Sequence, residues 1–489
     1  MLKQLNRGEK MLDINICSQK NDNDKPLVCG LFINQKVEID SNINQEIEEL
    51  IQNKHVKLEV GEVNKIPTLS KIKNKVVYII GLGEKEEYSM EKLKEVTKIM
   101  NCSLGKEIII QFDSFIGHLN VQKAAYQFVL NAHYYNYKYD EFLSKKIDND
   151  ISFEFVTKHE VKQVVMEAMN VAVAIDNTRD LVNKPYNALS AIGLANYAKD
   201  LVDTLDSKKV TIDIYDKKQI EALKMGAFLA VNKGSVCEPR LIFIKYQGLT
   251  EWKDPLALVG KGIMYDTGGY SIKTSMNTMK CDMAGAATVL GVLESLVKNE
   301  IKANVMVIIC ATDNRINGEA LLPDDIITAM NGKTIEIVST DAEGRLTLAD
   351  AVYFAQKEGS KEVIDIATLT GACVVALGEY TTGIFGNDQE KINRFLKEAT
   401  ETGESTWQLP ITEHIKKQVR ASKVADFTNS TGRNMGASGA AAFIEGFIED
   451  KTKWIHLDIA GTAFHTSPSY KEFYGATGVM VQTIYQYLK

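Results

Sequence analysis

The sequence predicts an α/β protein of more than one domain: a small N-terminal α/β domain, a long helix, and a larger α/β region built on an open sheet. Three observations predict this. Short apolar, β-branched runs alternate with helical patterns along most of the chain, as strands interleaved with helices do. A single uninterrupted helical pattern near residue 170 separates two such stretches. The length of 489 residues exceeds what one hydrophobic core usually holds, which suggests two or three domains.

In the first 150 residues, 57–60, the run from Lys75 and the run from Glu107 read as strands, and 89–100 and 121–132 as helices. Gly81-Leu82-Gly83 follows the strand KVVYIIGLG, but Glu84, Lys85, Glu86 and Glu87 come next, an acidity that repels a pyrophosphate; it reads as a plain turn. No glycine precedes the NGKT at Asn331 at P-loop spacing. From His159 to Asn183, Val161, Val164, Val165, Ala168, Val171, Ala172 and Ile175 recur at helical spacing until Asn183-Lys184-Pro185 stops the run. Beyond it, 241–245, 256–259, 305–310, 334–338, 363–367 and 454–457 read as strands, and 284–296, 346–356 and 437–447 as helices. Ligands of open α/β sheets sit outside the carboxyl ends of the strands. Lys261, Asp341 and Thr368 are each expected just past such an end.

Hydrophobic content of 45% and charged content of 25% belong to an ordinary globular protein. A formal net charge of -7 gives no electrostatic footprint for nucleic acid. The N-terminal MLKQLNRGEKMLDINICSQK has no continuous apolar segment, and no run approaches the roughly 20 apolar residues of a membrane span, so a cytoplasmic location is expected. The 7 cysteines are scattered without CxxC spacing, which fits reduced thiols. Cys281, beside Asp282, reads as a small space-filling residue, with a thiol that touches metal as the alternative.

The chemistry concentrates in two stretches. Residues 260–282 hold Lys261, Asp266, Lys273 and Asp282; residues 340–350 hold Asp341, Glu343 and Arg345. The four carboxylates suffice to neutralise two divalent cations. Oxygen donors suit Mg²⁺ or Mn²⁺, and Zn²⁺ also accepts them. Asp341 and Glu343 are two apart and point the same way if the backbone is extended. From the residues alone Lys261 is either a ligand or the partner of Asp266. No histidine falls in either stretch; His456, in an apolar strand, reads as a buried hydrogen-bonded core residue and Asp458 as structural. No GxSxG occurs, and Ser438 has no evident base.

TDAEGRL from Thr340, with the first stretch, resembles the signatures of the leucine aminopeptidase (cytosol aminopeptidase) family of two-metal exopeptidases. RDLVNKPYN from Arg179, ATLTGACVVALG from Ala367, VADFTNSTGRNMGASGAAAF from Val424 and WIHLDIAGTA from Trp454 agree in order. The likeness covers roughly residues 165–489, and the first 150 show little of it. It implies two domains: a macro-like domain, 1–157, with an oligomer or regulatory role, and a catalytic domain, 158–489, that includes the connecting helix. The latter would carry a mixed, mainly parallel central sheet with helices on both faces.

The resemblance further implies a metalloaminopeptidase that releases uncharged, leucine-like N-terminal residues from peptides, using a water bridged between two divalent metals. Manganese or zinc is expected first, magnesium or cobalt as alternatives. Asp266 and Glu343 would bridge the pair, Asp341 complete one site, and Asp282 with Lys261 the other. Lys261 would then bind as the neutral amine, against an ordinary lysine pKa of about 10.4. Lys273 resembles the catalytic lysine that stabilises the oxyanion. Arg345 resembles the residue that holds a bicarbonate as proton shuttle, which accounts for the missing histidine base. Met279, Thr368, Gly371, Ala460 and Ala463 match the substrate pocket, and a homohexamer is implied. The chain departs from the family in one loop: the 8 residues TSMNTMKC between Lys273 and Asp282 are about two fewer than usual, and Thr274 replaces a proline. Ser339 replaces the asparagine before TDAEGR. Two rivals remain: an inactive member that binds nucleic acid or acts as a scaffold, and a two-metal phosphoesterase sharing the carboxylates.

Overall fold

The computed structural model describes residues 12–20, 23–466 and 473–489, with 101–103 described by backbone alone. The first eleven residues, expected to lack an apolar leader, lie outside the described residues. The chain divides into two compact units, Met1–Val173 and Ala174–Lys489. The division falls inside the 22-residue helix Lys162–Asn183, the long helix of the sequence pattern.

The first unit is a six-stranded sheet of β1 (Leu12–Cys17), β2 (Leu27–Leu31), β3 (Val63–Pro67), β4 (Val76–Gly81), β5 (Glu107–Gln111) and β6 (Ile151–Val156), in the order β1-β6-β5-β2-β4-β3. All neighbours are parallel except the edge strand β3, which runs antiparallel to β4. β2 is buried along its whole length, as the interior of a parallel sheet requires. Residues 57–60, predicted as a strand, are not one. Leu58 is buried in this unit's core, but its carbonyl is taken by Gly83 and the Lys57 amide by the Asn64 side chain, so the segment folds over the end of β4 instead of pairing along it. Gly81-Leu82-Gly83 leads into a single tight turn at Lys85–Glu87.

The second unit is centred on eight strands: β7 (Val210–Tyr215), β8 (Arg240–Gln247), β9 (Leu256–Asp266), β10 (Asn304–Asn314), β13 (Glu362–Ala367), β14 (Thr382–Gly386), β15 (Thr406–Gln408) and β17 (Lys453–Asp458), with β11 (Ile326–Thr328), β12 (Thr334–Glu336) and β16 (Phe427–Thr428) forming a separate three-stranded sheet. The large sheet has the order β15-β14-β17-β13-β9-β10-β8-β7. Its inner four strands are parallel, and β14, β8 and β7 add antiparallel pairings toward the edges. On one face Ala257 and Val259 share a core with Leu346, Ala349 and Val352 of the helix Gly344–Lys357. The helix Ala284–Lys298 approaches β9 so closely that a Cβ on Gly260 would meet the Cα of Ala286 at 2.6 Å.

Two details of the strand prediction change the placement of the site. β9 runs seven residues past 259, so Lys261 lies inside the strand and not beyond it. Residues 334–338 contribute β12 to the small sheet, so Asp341 does not follow a central strand; it comes from a turn beyond a three-residue strand pinned by β11 and β16. Thr368 does follow β13 directly.

Candidate metal centre

β9 delivers Lys261 and Asp266. Five residues apart on a regular strand, they would point to opposite faces. The register against β10 shifts, however: Ile263 faces Thr312 while Asp266 faces Asn314, three steps on β9 against two on β10. The extra residue reverses the alternation and brings both side chains to one side. Gly344 lets Lys261 lie against the start of its helix, since a Cβ there would meet the lysine Cε at 2.4 Å.

The four carboxylates are knitted together by the two lysines. Lys261 Nζ lies 2.8 Å from Asp282 Oδ1 and 2.9 Å from Glu343 Oε1, and donates to the Thr368 carbonyl at 2.9 Å. Lys273 Nζ lies 2.7 Å from Asp266 Oδ2 and 2.5 Å from Asp341 Oδ1. Carboxylate oxygens of Asp266, Asp341 and Glu343 lie within 4.8 Å of one another. Asp282 also accepts from Thr368 Oγ1 at 2.8 Å.

Asp341 and Glu343 do converge, but not through extended backbone. Asp341 sits in a turn and Glu343 has φ -80°, ψ -37°, already helical, immediately before Gly344. Asn429 holds this turn: its Nδ2 donates to Ser339 O at 2.6 Å and its Oδ1 accepts from Val338 N at 2.8 Å. Thr340 Oγ1 ties the turn to the Gly268 carbonyl at 2.6 Å. Gly268 and Gly269 have φ of +84° and +59°, a conformation that favours glycine and that reverses the chain between Asp266 and Lys273. Asn314 and Asn429 are hydrogen-bonding positions at the cluster that sequence reasoning missed; Asn429 lies inside the quoted VADFTNSTGR string, and Asn314 closes the strand beside Asp266.

Burial, with the Asp266 carboxylate adding to it and Lys261 opposing it, raises Asp282, Glu343 and Asp341 above the ordinary carboxylate range. Burial pulls Lys261 and Lys273 down, but the surrounding carboxylates outweigh it and hold both above the ordinary lysine value. Burial pushes the Cys281 thiol to about 12, with Asp282 adding to the effect, so it stays protonated beside the site.

Asp282 Oδ2 and Glu343 Oε2 are buried without a hydrogen-bond partner. Buried lone pairs are costly unless something takes them, and with the oxygen cluster of Asp266, Asp341 and Glu343 they make a hard donor set that fits divalent cations. Arg345 donates Nη1 to Asn429 O at 2.7 Å, while its buried Nε has no partner. Burial lowers its guanidinium to about 10, still cationic near neutral pH, and the free donor suits an anion.

Of the five pocket candidates, Thr368 alone, among the described residues, reaches the acidic cluster by hydrogen bonds. Met279, half-buried, begins the short helical turn Met279–Met283 that carries Asp282. Gly371 starts the helix Gly371–Leu377. Ala460 N, Leu369 N and Thr370 Oγ1 all donate to the Asp458 carboxylate, so that residue clamps two loops together. Ala463 is buried, its carbonyl accepting from Thr477. His456 is fully buried with Nδ1 2.6 Å from Asp365 Oδ1, and Asp365 Oδ2 accepts from Trp454 Nε1.

Residues 176–485 match the catalytic domain of the cytosol aminopeptidase family, and residues 30–146 match the N-terminal domain of the same family, a region whose own motifs show little of it. The chain is 40% identical over 484 residues to the probable cytosol aminopeptidase of Bacillus subtilis (strain 168), covering 95% of this chain and 96% of that one. Identity to the probable cytosol aminopeptidase of Bacillus licheniformis is 39% over 482 residues, with the same coverage. Among solved structures, the bottromycin maturation enzyme BotP in complex with Mn superposes with a TM-score of 0.85 at 27% identity, covering 95% of this chain and 99% of that one. A second structure, of the bottromycin maturation enzyme BotP, gives 0.84 at 28%, covering 95% and 98%.

Proposed function

Since the chain belongs to the cytosol aminopeptidase family, a family of metal-dependent peptidases, we propose that it releases uncharged, leucine-like residues from the N-termini of peptides, with two divalent cations held by Lys261, Asp266, Asp282, Asp341 and Glu343. The observation that carries this reading is the convergence of the Asp266, Asp341 and Glu343 oxygens within 4.8 Å, flanked by two lysines.

Two bound cations, manganese or zinc before magnesium or cobalt, would lower the pKa of a water and polarise the scissile carbonyl. Asp266 and Glu343 would serve both cations, Asp341 would complete one site, and Asp282 with neutral Lys261 would complete the other. Lys261 would hold a cation only as the neutral amine, the cation's charge taking the place of the ammonium's among the same carboxylates. Lys273 keeps its proton and aims N–H donors at the oxygen where negative charge develops. Arg345 offers Nε to a bicarbonate, which would supply the base that no side chain provides. Met279, Thr368, Gly371, Ala460 and Ala463 border the side chain of the departing residue. The resemblance adds a homohexamer in the cytoplasm; no helix among the described residues is long and apolar enough to cross a membrane.

The test is hydrolysis of a panel of aminoacyl amides after chelation and return of Mn²⁺, Zn²⁺, Co²⁺ or Mg²⁺. Chelation should abolish activity and at least one metal restore it, leucine amide ranking high, while Asp266→Ala and Glu343→Ala should be folded and inactive. Near-full activity in Asp266→Ala overturns the ligand assignment, and cleavage of a phosphate ester in place of the amides overturns the reaction class.

A further inference from the structure

We propose that Asn314 is a positioning residue of the metal centre: its side-chain amide fixes the rotation of Asp266 and ties it to the turn carrying Asp341 and Glu343, and so sets the affinity for divalent cations. The inference rests on the metal reading above and adds a residue that lies in neither of the acidic stretches.

Asn314 is the last residue of β10, buried to 5% exposure, at the register shift that turns Asp266 toward Lys261. Its Nδ2 donates to Asp266 Oδ1 at 2.8 Å and to the Thr340 carbonyl at 3.0 Å. Its own carbonyl accepts from Thr267 N at 3.0 Å and Thr267 Oγ1 at 2.9 Å, which fixes the backbone just after Asp266. A second donor, Gly268 N, reaches Asp266 Oδ1 at 2.9 Å. That oxygen thus takes two N–H groups, and Oδ2 is the one turned to Lys273.

The residue type follows from the partners. Both groups facing Nδ2 are acceptors, so the position needs a donor with no charge of its own; a carboxylate there would repel Asp266, and an apolar side chain would leave Asp266 Oδ1 with one donor fewer. A carboxylate free to rotate loses entropy on capturing a cation, whereas one held by a neighbouring amide does not, and such outer partners typically govern about 10–100-fold in metal affinity.

The experiment measures Mn²⁺ binding by calorimetry on chelator-treated full-length protein: wild type, Asn314→Ala, and Asn314→Leu, which keeps the side chain's bulk without the donor. Circular dichroism of the metal-free forms reports folding. Both variants are expected to fold and to bind Mn²⁺ about 10–100-fold more weakly than wild type. Leucine amide hydrolysis should then be lost at limiting Mn²⁺ and largely regained at saturating Mn²⁺, a split that a general packing defect does not produce. If Asn314→Ala does not fold, Asn314→Leu carries the test. Folded variants that bind Mn²⁺ as wild type does overturn the inference, while a folded wild type that binds no Mn²⁺ overturns the metal reading itself.

Discussion

Lys261→Met in metal-free protein isolates the electrostatics of the centre from its catalysis. Methionine retains most of the stem that packs against Gly344 but removes the ammonium placed 2.8 Å from Asp282 and 2.9 Å from Glu343. Both carboxylates are buried, and each already has one oxygen without a donor. Removing one partner of a buried ion pair costs about 3–5 kcal/mol. At roughly 2–3 °C per kcal/mol for a large domain, the catalytic unit should melt about 6–15 °C below wild type in chelator near pH 8. The deficit should shrink toward about pH 5. Asp282 and Glu343 have folded-state pKa values above their ordinary ones, so the folded protein binds the extra protons; stability is lost as pH rises through those raised values and recovered as pH falls. Protonation then does what Lys261 no longer can. Differential scanning calorimetry in chelator at the two pH values is the assay. A variant that melts within about 2 °C of wild type near pH 8, or a deficit that does not change with pH, refutes the claim that the lysine holds this cluster together.

Two further outcomes follow from buried charges around the helix Gly344–Lys357. Asp350 is buried, accepts from Phe228 N at 2.9 Å and Met330 N at 2.7 Å, and is pushed by burial to about 7. Wild type therefore loses stability as pH rises from the ordinary carboxylate range through about 7; Asp350→Asn lacks that titration, and urea unfolding between about pH 5 and pH 8 should show a flatter dependence, equal slopes refuting it. Arg345→Ala should lower kcat on leucine amide by about 10² with metal saturating, and added bicarbonate should stimulate wild type but not the variant. Equal bicarbonate responses would remove Arg345 from the anion role.

Much of this architecture is legible along the chain because the elements are long and buried. The helix Ala284–Lys298 is a long, largely apolar run buried on all sides, and β9, β10 and β13 are rich in Val, Ile, Leu and Ala. Strands of two or three residues carry no pattern, which is why the small sheet and the true origin of Asp341 stay hidden. The acidic residues themselves are visible because glycine turns frame them. Their common orientation is not, since the register shift that turns Asp266 toward Lys261 exists only in the pairing of β9 with β10. Asn314 and Asn429 are illegible for the same reason: their amides act on partners 48 and 90 residues away, and an isolated asparagine in a strand end or loop looks like any other.

The loop of 8 residues between Lys273 and Asp282, which the resemblance implies is short, is held at both ends. Its ends are fixed independently. The Lys273 amide donates to Thr267 O at 3.0 Å, which anchors that lysine to the turn after β9. Asp282 belongs to the short helical turn Met279–Met283, which runs directly into the helix Ala284–Lys298. Tyr265 Oη grips the middle, donating to Met276 O at 3.1 Å. A change in length between such anchors falls on residues 274–278, of which Thr274, Ser275 and Asn277 are exposed, and where Thr278 takes a positive φ of +69° to complete the reversal. The loop's freedom therefore lies in this exposed stretch before Met279 rather than at the two ends that carry Lys273 and Asp282. If Met279 borders the substrate as proposed, this stretch would bear on the choice of departing residue, while the anchored ends would keep Lys273 and Asp282 in place.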